Sequence, residues 1–221
     1  MTQKVNEEQK NAEERFSSDH KRPLYNDRSA HPLAAVLATL PQQYIKAVTV
    51  PAVQTYTEKG SWANWSLVWI QLLIWAVLDA ALGVLVNLIS PPASGFGGFF
   101  ALATSVGLIV LVPILFFLIM GVTYFVARVF GGQGTFLEQC YTSLTLQVPL
   151  GIGSKLLALI PVVGRILNSV LSIYGIVLQV IVLMAVHKLS RGKAIATMLL
   201  SGLVIGVPVA LLYALFLLVH K

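Results

Sequence analysis

The chain has 221 residues, of which 57% are hydrophobic and 11% charged, with a formal net charge of +6. A water-soluble domain carries about 25% charge, so too little polar surface remains to cover a globule in water. Residues 1–60 hold 8 of the 15 Lys and Arg and 7 of the 9 Asp and Glu. That split describes a polar tail ahead of a membrane domain, and it argues against a nucleic-acid partner, because the basic residues of the remainder flank apolar runs.

In chain order, residues 1–30 mix Glu7, Glu8, Glu13 and Glu14 with Lys4, Lys10, Arg15, Lys21 and Arg22. A segment this poor in apolar side chains cannot offset its ordering entropy. It reads as a disordered cytosolic tail, with a frayed helix near residues 5–16. Residues 31–60 read as an amphipathic helix and a connector. Leu33, Val36, Leu37, Leu40, Tyr44 and Val48 recur at helical spacing, interrupted by Pro41. Two placements are open for this helix: on the membrane surface, or against the cytoplasmic ends of the spans. Thr49 to Gly60 then reads as the connector. The first 60 residues contain no continuous apolar core, so insertion begins with an internal span.

Residues 61–221 read as an all-α membrane domain of about five spans, each needing about 20 apolar residues. Trp62, Trp65 and Trp69 lead into the first, at 66–89, as suits a headgroup boundary. Pro91-Pro92 ends it, and Ser94 to Gly98 reads as a short loop. The second runs from about Phe99 to Val126 and contains Pro113. The third, about Gln139 to Ile160, is the weakest, since it contains Gln147, Pro149, Gly151, Gly153 and Lys155 and reads as bent or broken. Pro161 to Arg165 reads as a tight turn, 166–186 as the fourth span, Lys188 to Lys193 as a basic loop, and 194–219 as the fifth span.

Basic loops set the orientation. With the tail inside, the inner loops hold Arg128 and then Lys188, Arg191 and Lys193, whereas the outer loops hold only Arg165, with Lys221 at the outer end. The N-terminus is therefore expected in the cytosol and the C-terminus outside. Insertion without a signal peptide suits a bacterial inner membrane or an internal eukaryotic one, and the bacterial membrane is the expected site. If the third span is only re-entrant, the count falls to four.

The candidate intramembrane polar residues are Asp79, Lys155 and Gln147. Asp79 sits near the middle of the first span, where an acid costs roughly 2.5–3.5 kcal/mol. One reading is a proton or cation site; the preferred one is an acid that fastens one helix to another, with Lys155 as partner. Scattered amides such as Gln71, Asn87, Asn168 and Gln179 read as helix-to-helix hydrogen bonds. Gly202 and Gly206 form a small-residue pair suited to close packing, within the chain or between copies. His187 reads as a cation at a helix end. Gly131 to Gly134 reads as a loop, since no Lys-Ser or Lys-Thr follows it. The lone Cys140 excludes a disulfide framework and a multi-cysteine metal site, and the four histidines are dispersed. No Ser-His-Asp or Cys-His arrangement stands out, so no enzyme, cofactor or metal is expected.

Residues from about Phe130 to Leu199 resemble the Yip domain family of Ypt/Rab-interacting membrane proteins. The resemblance rests on Gly134, Tyr141, Gln147-Val148-Pro149, Ile160-Pro161, Gly164, Ile173-Tyr174-Gly175, His187-Lys188-Leu189-Ser190 and Lys193-Ala194, and it extends over about residues 40–215. It implies five membrane helices, a cytosolic N-terminus and an outward C-terminus. Eukaryotic relatives act in vesicle traffic, bind prenylated Rab-type GTPases and associate with other family members. Their acidic Asp-Leu-Tyr-Gly-Pro-like motif before the first span has no counterpart here, where Gly60 to Trp65 holds no acid. The pattern therefore resembles divergent prokaryotic members, and no small-GTPase partner is carried over. The expected role is a non-enzymatic membrane protein that organises membrane or recruits partners, with the lipid bilayer and other membrane proteins or a second copy as its company. The alternatives are a small transporter or channel component using Asp79, and a scramblase-like lipid handler with a polar groove from Gln71, Asp79, Asn87 and Gln147.

Overall fold

Long apolar runs favour helices whose backbone groups are satisfied internally, as the bilayer demands. The computed structural model describes residues 33–89, 95–160 and 162–219. Among them lie seven helices: α1 (Leu33–Thr49), α2 (Val53–Gly60), α3 (Trp65–Ile89), α4 (Gly95–Val129), α5 (Phe136–Ala158), α6 (Val163–His187) and α7 (Arg191–Val219). The chain divides into two units, Met1–Ala38 and Thr39–Lys221. Of the first, only the opening of α1 is described, and the helix expected near residues 5–16 lies outside the described residues.

Helices α3, α6 and α7, with Ile109–Val129 of α4, are long and apolar enough to cross a membrane. Helix α5 is not among them by composition, yet its 23 residues are about 34 Å long at 1.5 Å per residue. It packs against α2, α3, α4 and α6, while α7 closes the bundle against α4 and α6. From Gln139 to Leu146 every residue of α5 is buried. Over this first half protein, not lipid, surrounds the helix, so Gln139, Thr142, Ser143 and Thr145 sit inside the bundle. Outward surfaces of the other helices carry exposed Leu73, Val77, Leu118, Phe125, Val170, Ile173, Leu203 and Leu211. Apolar residues outside and amides and hydroxyls inside is the arrangement a bilayer selects.

The bundle runs up and down. Gln133 N–H donates to the His187 carbonyl at 3.0 Å, and Lys193 Nζ donates to the Phe130 carbonyl at 3.1 Å. These bonds place the α4–α5 and α6–α7 connections at one end. The Trp65 and Phe136 rings, 6.2 Å apart, put the start of α3 there too. At this end Gly134 touches α6 so closely that a Cβ would collide with the Val186 carbonyl and lie 2.6 Å from its side chain. The glycine run is thus a close-approach loop. Helix α5 then begins on a capping box: Thr135 Oγ1 accepts from Glu138 N–H, and Glu138 Oε2 accepts from Thr135 N–H.

Several expectations need correction. The stretch read as a connector, 49–60, contains the helix α2. Residues 95–98, read as loop, open α4; residues 90–94 lie outside the described residues. The third span is not broken: α5 continues through Pro149. The fourth and fifth helices begin three residues earlier than read, at Val163 and Arg191, which shortens the turn and the basic loop that precede them.

Helix α1 packs against the spans. Its face of Leu40, Tyr44, Ala47 and Val48 turns inward, and Ala47 and Tyr56 share a buried cluster with Leu146, Leu178 and Val182. Pro51 explains a pair of unusual bonds there. Lacking an N–H, it cannot serve the Ala47 carbonyl four residues back, and Ala52 N–H is engaged by Val50, which frees the Val48 carbonyl. Tyr56 Oη donates to the first at 2.6 Å and Tyr174 Oη to the second at 2.5 Å. Tyrosines of α2 and α6 thereby complete the end of α1.

Candidate functional site

Polar side chains collect in two places. The first lies toward the end of the bundle away from the glycine loop. Asp79 follows Trp75 by one turn of α3, and Lys155 follows Gly151 by one turn of α5, so each pair shares a helix face. Asp79 Oδ2 and Lys155 Nζ lie 3.3 Å apart, with 13% and 31% of their side chains exposed. One turn below the ion pair, a cavity of about 230 Å3 opens between α3, α5 and α6, lined by Trp75, Gln147, Gly151, Asn168 and Ser172 among others. Trp75 Nε1 and Asn168 Oδ1 are buried there without a hydrogen-bond partner. The sequence-derived trio thus meets in part: Asp79 touches Lys155, and Gln147 lines the adjoining cavity. Gln71 does not join them. It lies eight residues before Asp79, about 12 Å along α3, and accepts from Tyr44 Oη at 3.3 Å. Asn87 lies eight residues beyond Asp79, in the last turn of α3. Of the four residues proposed to line a lipid path, Gln147 lines the cavity beside the Asp79–Lys155 pair, and Gln71 is engaged by Tyr44.

The second place is the glycine-loop end. His187, read as a helix-end cation, is fully buried. Its Nε2 is 2.8 Å from Gln139 Oε1. Since Gln139 Nε2 donates to the Met120 carbonyl at 3.0 Å, its Oε1 is an acceptor, and the imidazole carries its proton on Nε2. Nδ1 faces the loop without a partner. Gln179 Nε2 donates to Ser143 Oγ at 3.1 Å, tying α6 to α5 in the same interior.

Against this end sits the α1–α2 hairpin. Tyr141 Oη of α5 donates to Gln43 Oε1 at 3.0 Å, and Lys59 Nζ donates to the Gln43 carbonyl at 2.6 Å. Burial first, and then the charge of Lys46, bring the Lys59 ammonium down from 10.5 to about 8. Burial also pushes the Tyr56 phenol up to about 12. None of Gln43, Tyr56, Lys59 or Tyr174 was singled out from sequence for a role here. The one signal was Pro51, which leaves the Ala47 carbonyl needing a donor.

Gly202 and Gly206 meet nothing within 4 Å of a built Cβ. Among the described residues no group of three or more His, Cys, Asp or Glu converges.

A half-buried polar helix packed among α3, α4 and α6, with a short hairpin against one end, is the frame on which comparison with known families bears. The family model of the Yip1 domain matches residues 46–217, more than three quarters of the chain. The chain belongs to the Yip1 domain family. No curated protein and no solved structure matches it. The Yip1 match begins within α1 at Lys46, so it takes in α2 as well as the five long helices. The resemblance drawn from the Gln147-Val148-Pro149 and His187-Lys188 segments is thereby borne out, as is an all-helical membrane domain. In this Yip1 domain, Gln147 lines the cavity below the ion pair and His187 anchors the interior at the opposite end.

Proposed function

We propose that this Yip1-domain protein is a non-enzymatic membrane protein that recruits partners, or organises membrane, through the end of the bundle bearing the α1–α2 hairpin. The observation that carries the reading is the pinning of that hairpin. Tyr56, Tyr141, Tyr174 and Lys59 each hydrogen-bond to α1, and the outward face keeps Ile45, Val50 and Val53 exposed. A rigid two-helix platform with an apolar outer face suits docking at a membrane interface. In this reading all five long helices cross. The hairpin end faces the cytosol, because Arg128, Lys188, Arg191 and Lys193 gather there and Arg165 lies at the other end.

The test is site-specific photocrosslinking from Gln42 and Ile45 in native membranes. A discrete protein adduct, or a cross-linked homodimer, is expected. Adducts to lipid alone from both positions would refute recruitment. A second reading, transport, is favoured by the Asp79–Lys155 pair at the head of a polar cavity. It requires Asp79→Asn to abolish flux in reconstituted vesicles without loss of folding. We favour the pair as a fastening between α3 and α5, for which flux is absent in both proteins.

A further inference from the structure

Between the two arms of the hairpin lies a cavity of about 310 Å3, walled by Gln42, Gln43 and Lys46 of α1 and by Thr55, Glu58 and Lys59 of α2, with Trp62 beside it. Its volume falls at the lower end of the range for small-molecule sites, about 300–1,000 Å3. Two cations converge on it. Lys59 is only 7% exposed, yet among the described residues no carboxylate pairs with it. Its contacts are the Gln43 carbonyl and the Tyr56 ring, 5.8 Å from the ring centroid. An ammonium has three donors, and burying one without a counter-ion is costly. The acid on the wall, Glu58, lies 3.8 Å from Lys46 on the exposed side, where both side chains are more than half exposed. Depth is informative too. Gln43 is held by Tyr141, five residues into α5, about 8 Å from the start of that helix. Exposed Trp62, Trp65 and Trp69 lie at the start of α3, where that helix begins beside Phe136, and aromatic residues of this kind mark the headgroup boundary.

We propose that this cavity is a phosphate-binding site, in which the ammonium groups of Lys46 and Lys59 and the amide of Gln42 hold the phosphate of an anionic phospholipid headgroup or of a soluble phosphate compound. The phosphate supplies the counter-ion that Lys59 lacks and displaces Glu58 from Lys46. Charge-assisted bonds to a phosphate are the strong class, and lysine binds phosphate as a point charge from a flexible stem. The site rests on the hairpin's own geometry and is independent of the recruiting role.

The test uses the purified full-length protein in phosphatidylcholine nanodiscs, with and without phosphatidic acid, read by native mass spectrometry of the released complexes. A saturable phosphatidic acid adduct is expected. Lys59→Met and Lys46→Met should each weaken it about tenfold, Glu58→Gln should tighten it, and Lys188→Met, at an exposed lysine of the α6–α7 connection, should leave it unchanged. Inorganic phosphate forms the second arm: displacement of the adduct at millimolar concentration assigns the site to soluble phosphates, and its persistence assigns it to lipid. Should Lys59→Met fail to fold, the exposed Lys46→Met and Glu58→Gln still give shifts of opposite sign. Absence of both lipid and phosphate binding, or equal losses in Lys59→Met and Lys188→Met, would overturn the site.

Discussion

Asp79 of α3 and Lys155 of α5 form an ion pair at 3.3 Å, joining the middle of one long apolar helix to the last turn of the polar one. Removing one partner of such a pair strands the other charge, whereas removing both leaves two neutral side chains. Asp79→Asn should therefore destabilise the bundle by about 1–3 kcal/mol, discounted for the exposure of Lys155. Asp79→Asn with Lys155→Met should recover most of that loss. Unfolding in mixed detergent, followed by circular dichroism, measures both. A double variant less stable than Asp79→Asn would show that the residues do not act as a pair.

The tyrosine bonds to the end of α1 give a second expectation. Tyr56→Phe and Tyr174→Phe each leave a carbonyl of Ala47 or Val48 without its donor, at a cost of about 1–2 kcal/mol apiece. Both should also raise protease sensitivity around Val50 and Pro51, while the control Tyr213→Phe, exposed on α7, should change neither. Limited proteolysis with mass mapping checks this, and unchanged cleavage in both variants would contradict the pinned hairpin.

Lys59 links the hairpin to pH. Its folded value, about 8, lies below its ordinary 10.5, so between these values the unfolded chain binds more protons than the folded one. Stability should therefore rise as pH climbs from about 8 toward 10.5, and below 8 the folded state carries the full cost of the buried charge. The groups facing Lys59 are Lys46 of α1 and Tyr56 and Glu58 of α2; Tyr56, pushed up from 10.0 to about 12 by burial, works against this slope only above about pH 10. Melting midpoints in phosphate-free buffer should increase between pH 7.5 and 9.5 in the native protein, and Lys59→Met should remove that part of the slope. Identical slopes would contradict a buried, unpaired ammonium.

Gly134→Ala tests the close approach of the α4–α5 connection to α6. A methyl group there collides with the Val186 carbonyl, and overpacking of this kind costs about 1–3 kcal/mol. Gly202→Ala and Gly206→Ala, which meet open space, should leave monomer stability nearly unchanged. Detergent unfolding midpoints distinguish these cases, and a neutral Gly134→Ala would show that the loop can move away.

What was legible in the sequence follows from physical causes. Helices α3, α4, α6 and α7 declare themselves because lipid surrounds them and their side chains are apolar nearly all round. Helix α5 reads as broken because Gln147, Pro149, Gly151, Gly153 and Lys155 interrupt its apolar run, yet Gln147 and Gly151 line a cavity between helices and Lys155 meets Asp79. Helix α2 was unreadable, since Val53–Gly60 is short and polar and is held by Tyr56 and Lys59, not by an apolar stripe. The Thr135 to Glu138 capping box is present in the letters, a Thr followed three residues later by a Glu. The Asp79–Lys155 pair was legible because the spans offer few charges to match. His187 was not, because its burial depends on the loop of residues 131–134 folding over the end of α6.

The central claim is that α5, packed among α3, α4 and α6, crosses the membrane with them. In a Cys140→Ser background, single cysteines at Gln133, before α5, and at Val162, after it, should be labelled by a membrane-impermeant thiol reagent from opposite sides. Gln133→Cys should react only after the cells are opened, and Val162→Cys in intact cells. Labelling of both from the same side would show that α5 does not cross, and would contradict the five-helix account.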